Sequence, residues 1–247
     1  MRYFLEVSYK GTHYSGFQTQ KNANTIQDEI EKAFLILLKQ PIHLTGSSRT
    51  DAGVHALQNY FHFDTESILT NGLLYNLNAI LPQDIVVKNI LRVKNEAHCR
   101  FDALSREYKY IIYQQKNPFL KDIAYYFPYS IDIDEIKKAA LVLKDYSDFT
   151  SFSKRNTQVK NFECRIIESN WQIENDSLVY IVKADRFLRG MVRAFTATML
   201  QIGRGKLSLN DLIKIIQAKD NTKASFAVPA HGLQLISVQY PKEYFTV

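Results

Sequence analysis

The chain of 247 residues carries 31 Lys and Arg against 25 Asp and Glu, a formal net charge of +6 with a pI near 9.1. An apolar fraction of 46% with 23% charged residues is typical of a globular protein of one large or two ordinary domains. Because no apolar tract could span a bilayer or serve as a signal sequence, we expect a cytoplasmic protein with no membrane partner. The excess positive charge favours a polyanion as partner.

The two cysteines and six histidines offer no pattern typical of a metal site. Cys99 and Cys164 lie far apart and neither belongs to a Cys-x-x-Cys pair, which argues against a disulfide framework and a zinc site. The histidines show no metal-ligand spacing, and no Gly-rich phosphate loop or dinucleotide fingerprint occurs. We therefore expect activity without a metal and without a cofactor.

Strand and helix patterns alternate through the first hundred residues. Aromatic and branched residues predict a first strand at Arg2–Tyr9. Asn24 and Gln27 match a helix capping pair, and apolar residues at helical spacing follow them. A short strand is predicted at 42–44 and an aromatic one at 60–63, so the polar loop between them is held at both ends by strands.

A second cycle of elements begins near residue 105. In chain order, the patterns predict a strand at 108–113, a helix at 134–143, strands at 164–173 and 178–183, a helix at 187–202, a helix capped by Ser208 and a strand at 232–240. Because the second cycle resembles the first, we predict an α/β (α+β) fold of two similar halves, residues 1–104 and residues 105–247.

The most unusual segment is the glycine- and hydroxyl-rich stretch Gly46–His55, which contains one carboxylate, Asp51. An Asp in such a setting is usually a turn residue that bonds its own backbone. The functional alternative is a nucleophile presented by a tight loop, with Arg49 able to bind a phosphate or orient the loop.

Three arginines and a tyrosine are further candidates for the site. Arg186, Arg189 and Arg193 fall on one face of the helix predicted at 187–202, which is either a solvated basic face or a face with one arginine turned inward and its neighbours on RNA phosphates. Tyr108 is either a packing residue of its strand or a flat surface for stacking on an extruded base.

These segments, in order and over nearly the whole chain, resemble the tRNA pseudouridine synthase A family. The matching segments are residues 9–18, Arg49–Ala56, residues 100–101 and 105–110, Phe149–Phe152, residues 187–193 and residues 229–235. The resemblance implies that Asp51 is the nucleophile, Tyr108 the active-site tyrosine and Arg193 the active-site arginine. Arg189 falls on a less characteristic position.

A few residues depart from the pattern of that family. Lys10 stands where aspartate is common, Phe17 where tryptophan is common, Ser48 where glycine is usual and Val228 where alanine is usual. We interpret the first two departures as changes in the RNA-facing loop near the start of the chain.

The resemblance also implies a fold, an assembly and a reaction. The fold has two α/β halves around a central mixed, largely antiparallel sheet, and the protein forms a homodimer whose basic cleft takes the anticodon stem-loop of tRNA. The reaction converts uridines 38, 39 and 40 to pseudouridine after base flipping. We expect Arg49, Arg186 and Arg189 to contact phosphates and Tyr108 to stack on the uracil. A buried Arg193 would keep the Asp51 carboxylate ionised.

Three other functions remain open from the residues alone. A catalytically silent tRNA-binding or tRNA-folding protein would have no use for a carboxylate beside phosphates. A small-molecule hydrolase that uses Asp51 would need an enclosed pocket and no basic helix face. A paralogue that modifies other uridines would differ in its RNA-facing loops, where Lys10 and Phe17 depart from the family pattern. The residues also leave open whether Asp51 attacks the ribose or the uracil.

Overall fold

The structure is a computed structural model that describes residues 1–66, 69, 72–155 and 159–245. The chain forms two compact units. The first unit combines Met1–Leu104 with Gln234–Val247, and the second unit is Ser105–Leu233. The chain therefore leaves the first unit near residue 104 and returns to it for its last segment. The predicted division into residues 1–104 and 105–247 stays a prediction of domain organisation.

The first unit is built on antiparallel strands. The strands are β1 (Arg2–Tyr9), β2 (Thr45–Gly46), β3 (His55–Asp64), β4 (Ile85–Val93) and β9 (Leu233–Gln239). Strand β1 pairs antiparallel with both β3 and β4, and β2 pairs antiparallel with β3. Strand β9 joins β3 in parallel at His55 and Ala56. The first strand matches its predicted bounds, whereas the short strand predicted at 42–44 lies at Thr45–Gly46.

Among the residues that the structure describes, the α-helices of this unit are α1 (Ile26–Leu38) and α2 (Leu73–Ile80). The cap of α1 was predicted one residue too early, because Thr25 is the N-cap and its hydroxyl accepts the Asp28 N–H at 3.2 Å. The threonine hydroxyl can reach the free N–H groups of the first turn from this position. Apolar side chains of α1 and of strands β1 and β3 are fully buried in the core: Ile30, Phe34, Phe4, Leu5 and Phe61.

The second unit contains an antiparallel sheet of three strands in the order β5, β8, β7. These strands are β5 (Ser105–Tyr113), β7 (Ile166–Glu174) and β8 (Ser177–Ala184), and the short strand β6 (Tyr125–Tyr126) pairs in parallel with β5. Alternating side chains of β5, including Tyr108 and Tyr110, are buried on one face. The strands predicted at 108–113, 164–173 and 178–183 are confirmed within a few residues.

The helices of the second unit are α3 (Ile133–Val142), α4 (Met191–Gly203) and α5 (Leu209–Gln217). The capping box of α5 is confirmed, since Ser208 accepts the Asp211 N–H and Asp211 in turn accepts the Ser208 N–H. Helix α4 begins four residues later than predicted, because Gly190 precedes it with a φ of +76°, which is incompatible with a helical turn.

The strands and helices of the described ranges confirm the predicted class, a mixed α/β fold with mostly antiparallel strands. Each unit places helices against its own sheet, with α2 on β4 in the first and α3 on β7 in the second. Across these ranges, no helix combines the length and the apolarity needed to cross a bilayer.

Candidate active site

Asp51 lies in the loop between β2 and β3, here called the Asp51 loop (residues 46–55). The side chain of Asp51 is partly exposed. Its backbone carbonyl accepts the N–H of Val54 at 3.1 Å, and Gly53 has a φ of +80°, so residues 51–54 form a tight turn. The turn is thus closed by backbone atoms, and the carboxylate is not required for this hydrogen bond.

Thr50, directly before Asp51, is held at both its side chain and its carbonyl. Its Oγ1 lies 2.8 Å from Tyr9 Oη, and its carbonyl accepts the N–H of Phe17 at 3.2 Å. A Cβ at Gly16 would lie 3.0 Å from this carbonyl, and Gly16 has a φ of +109°. A glycine is needed there because the chain approaches the Asp51 loop closely in a conformation that other residues disfavour.

The interpretation of Phe17 as a residue of an RNA-facing loop is wrong. Its ring is 1% exposed and stacks on Phe61, with ring centroids 4.2 Å apart and planes 9° apart. Gly46 is required by the same packing, since a Cβ there would lie 2.2 Å from Phe17 Cε1. Phe17 therefore supports the Asp51 loop from inside the core, whereas Lys10 is exposed.

Two neighbours of Asp51 in the loop face different surroundings. Arg49 is exposed, which suits a contact with an RNA phosphate. Ser48 is buried, and its Oγ makes no hydrogen bond within the described part of the chain. A hydroxyl at this position, where the family pattern has glycine, therefore adds a buried polar atom that the fold does not satisfy.

Tyr108 and Tyr110 share the buried face of β5 in the second unit but have different neighbours. Tyr108 is 9% exposed and meets the ring of Phe187 edge to face, with centroids 5.1 Å apart. Tyr110 is fully buried and its hydroxyl donates to the Pro229 carbonyl at 2.7 Å. Burial raises the pKa of Tyr110. Tyr110 is a core residue, and Tyr108 is the tyrosine nearer to the surface.

Arg193 lies in the first turn of α4 and is partly buried. Its Nε and Nη2 donate to the Val228 carbonyl at 3.0 and 2.6 Å. These two bonds fix the plane of the guanidinium against the segment before Pro229. Val228, which departs from the family pattern, contributes only its backbone carbonyl to these bonds. The bonds therefore do not depend on whether the side chain at 228 is valine or alanine.

The three arginines do not share one helix face, and that prediction is wrong. Arg186 and Arg189 lie in the loop between β8 and α4, since the helix begins only after Gly190. Arg186 is partly exposed, and its backbone N–H donates to the Asp185 carboxylate at 2.7 Å. Arg189 is exposed. Asp51 and Arg49 belong to the first unit, and Tyr108 and these arginines belong to the second.

Sequence spacing missed a cluster in the first unit, where ligand-type atoms of His62, His98 and Cys99 lie within 4.8 Å of one another. These atoms already form hydrogen bonds. His62 Nδ1 accepts the Cys99 N–H at 3.4 Å, His98 Nδ1 accepts the Arg100 N–H at 3.2 Å, and the Cys99 thiol donates to the Thr45 carbonyl at 3.1 Å. Burial lowers the pKa of His62 to about 4. We assign no metal to the cluster, because both Nδ1 atoms and the thiol already form hydrogen bonds within the protein.

Comparison with known families finds a match over most of the chain. A profile described as tRNA pseudouridine synthase matches residues 6–102 and 146–241. The Asp51 loop falls in the first matched range and the first turn of α4 in the second. The chain belongs to the tRNA pseudouridine synthase family.

Individual relatives agree along the full length. A tRNA pseudouridine synthase A of Parabacteroides distasonis is 45% identical over 100% of this chain and 98% of its own length. The proteins of that name from Bacteroides fragilis and Staphylococcus aureus strain JH1 are 44% and 36% identical, over 99% and 95% of this chain and 98% and 89% of their own lengths. The predicted family and enzyme class, an isomerase that acts on tRNA, are confirmed.

Proposed function

We propose that the protein converts uridines 38, 39 and 40 in the anticodon arm of tRNA to pseudouridine, with Asp51 as the nucleophile. The observation that carries the proposal is the Asp51 loop, where a partly exposed carboxylate follows a residue held at both its hydroxyl and its carbonyl. A nucleophile needs this combination of access and fixed direction.

The reaction requires the target nucleotide to leave its stack, at a cost of a few kcal/mol. Once the uridine is extruded, the Asp51 carboxylate attacks either the anomeric carbon of the ribose or the ring of uracil. The bond between the ribose and the ring nitrogen breaks, the base turns, and the ribose becomes bonded to a ring carbon. That carbon loses its proton, the freed ring nitrogen gains one, and the bond to Asp51 breaks to restore the carboxylate. Substrate and product are isomers, so the atoms balance without an external reactant, and we propose that no metal or cofactor takes part.

Tyr108 and Arg193 complete the proposed set of catalytic residues. Tyr108 offers a ring near the surface that can stack on uracil, and its edge-to-face contact with Phe187 supports its orientation. Arg193 is a permanent cation, and its two hydrogen bonds to Val228 fix its plane. We propose that its charge favours the ionised carboxylate during the reaction. We further propose a cytoplasmic homodimer.

The target positions are tested by mapping pseudouridine in total tRNA from cells with and without the gene. We expect the modification to disappear from positions 38, 39 and 40 and to persist at other positions. A gene encoding the Asp51→Asn variant should leave the three positions as uridine, and the wild-type gene should restore them. Loss at positions outside the anticodon arm alone would show that the protein modifies other uridines.

The exposure of Arg186 and Arg189 predicts how each contributes to tRNA binding. Arg189 is exposed, so we expect Arg189→Ala to weaken binding and to lower the slope of log affinity against log salt by roughly one. Partly exposed Arg186 should have the same or a smaller effect. The measurement is a salt titration of tRNA affinity, with exposed Lys137→Ala on α3 as the matched loss of one charge. Slopes equal to that of Lys137→Ala would remove both arginines from the RNA surface.

A further inference from the structure

A chain of buried hydrogen bonds links the end of β1 to the residue before Asp51. The Tyr9 hydroxyl lies 2.8 Å from Thr50 Oγ1. The Asn59 side-chain amide on β3 donates to the same phenol oxygen at 3.2 Å and to the Ser48 carbonyl at 3.0 Å. Two residues outside the Asp51 loop thus bind two positions within it, on the N-terminal side of Asp51.

Burial makes these contacts specific. Asn59 is completely buried, Tyr9 is 4% exposed, and Ser48 and Thr50 are each 8% exposed. The side-chain oxygen of Asn59, Oδ1, accepts the backbone N–H of Tyr60 at 2.9 Å, which fixes the orientation of the amide and directs its NH₂ group to the loop. Because these groups are buried, breaking one of the bonds removes a partner that water does not readily replace.

We propose that Tyr9 and Asn59 are positioning residues for the nucleophile. The inference rests on the proposed role of Asp51. Because the amide NH₂ group can only donate, the phenol oxygen accepts from Asn59, and one of the two hydroxyls donates in the bond between Tyr9 and Thr50. The hydroxyl of Thr50 and the carbonyl of Ser48 are then held from within the core, and the direction of the Asp51 side chain follows from the fixed backbone before it.

These hydrogen bonds are expected to affect the position of the Asp51 carboxylate, and hence turnover, more than the affinity for tRNA. A shift of about 1 Å in a reacting group can cost on the order of 100-fold in rate. Tyr9 and Asn59 are both buried, so neither is expected to contact tRNA. The positioning role therefore predicts a loss of turnover with unchanged tRNA affinity, whereas a role in stability alone predicts loss of folded protein with normal turnover in the remainder.

The test uses Tyr9→Phe with Tyr180→Phe as its matched control. Tyr180 is fully buried, and its hydroxyl lies 2.9 Å from Ser169 Oγ in the second unit. Each change therefore deletes one buried tyrosine hydroxyl that contacts a hydroxyl side chain, and Tyr9→Phe also removes the acceptor of the Asn59 amide. We expect Tyr9→Phe to lower kcat roughly 10- to 100-fold, with unchanged tRNA affinity. Tyr180→Phe should lose similar thermal stability and keep the wild-type kcat per folded molecule.

The Thr50 end of the bond provides an independent test if Tyr9→Phe does not fold. Thr50→Val removes the hydroxyl and should reproduce the loss of kcat, and Thr50→Ser keeps the hydroxyl and should restore most of it. A kcat in Tyr9→Phe or Thr50→Val equal to that of Tyr180→Phe overturns the positioning role. If Asp51→Asn is inactive in the same assay, that outcome rejects the positioning role alone; if Asp51→Asn is active, the nucleophile assignment has failed instead.

Discussion

Asp51→Asn is expected to abolish turnover while leaving the fold and tRNA binding nearly intact. The change removes the charge and the nucleophile but keeps the size of the side chain. The turn at residues 51–54 is closed by the Asp51 carbonyl and the Val54 N–H, which the substitution does not touch. We expect a loss of at least about 10³-fold in turnover, and tRNA binding should be equal or slightly tighter, since one negative charge near the phosphates is gone.

The measurement is the release of tritium from uridine labelled at the ring carbon that becomes bonded to the ribose. Asp220→Asn is the matched control, because the Asp220 carboxylate accepts the N–H of Thr222 at 2.8 Å and serves a turn outside the proposed site. It should alter stability and leave turnover unchanged. Normal turnover per folded molecule in Asp51→Asn, with reduced thermal stability, would make Asp51 a turn residue and reject the proposed mechanism.

Gly11→Ala is expected to have the largest effect on stability. A Cβ at Gly11 would lie 2.0 Å from the Val54 carbonyl oxygen, a distance that only a movement of the backbone can relieve. The Gly11 N–H also donates to His55 Nδ1 at 3.0 Å. The backbone that must move therefore includes Val54 and His55, the last two residues of the Asp51 loop. Overpacking of this kind costs about 2–3 kcal/mol, which lowers Tm by roughly 4–12 °C in a chain of this size. Turnover per folded molecule should fall as well.

The control for Gly11→Ala is Gly72→Ala, where the nearest atom to the added methyl group is Asn76 Nδ2 at 3.9 Å. Thermal melts of both variants, together with turnover normalised to folded protein, separate the clash from the general effect of replacing a glycine. Equal Tm values for the two variants would show that the backbone near Val54 moves to accept the methyl group without a loss of stability. A stable Gly11→Ala variant with normal turnover would further show that the Asp51 loop tolerates displacement.

Elements whose signal is local could be predicted from the sequence. The first strand, Arg2–Tyr9, has its predicted bounds because branched and aromatic residues favour an extended chain. The helix after Ser208 starts where expected because its capping box lies within four consecutive residues. Such patterns need no information from the rest of the molecule.

Features that depend on backbone conformation or distant contacts could not be predicted in this way. The apolar periodicity of α4 continues upstream into Phe187, and only the positive φ of Gly190 separates the helix from the loop that carries Arg186 and Arg189. Polar residues and a glycine flank Phe17 in the sequence, but its ring stacks on Phe61, which lies 44 residues away. Local composition also cannot distinguish a turn aspartate from a nucleophile, so the assignment of Asp51 came from the resemblance to a family.

The return of the chain to the first unit has a consequence for synthesis on the ribosome. Strand β9 pairs with β3 at His55 and Ala56, directly after the Asp51 loop, and Tyr240 donates its hydroxyl to Ser47 at 3.1 Å within that loop. These partners are translated only after almost the whole of the second unit. Domains generally fold as units during synthesis, beginning with the N-terminal one. Here the first unit stays incomplete until the whole second unit has been synthesised, so a nascent chain that lacks β9 also lacks part of the support for the Asp51 loop.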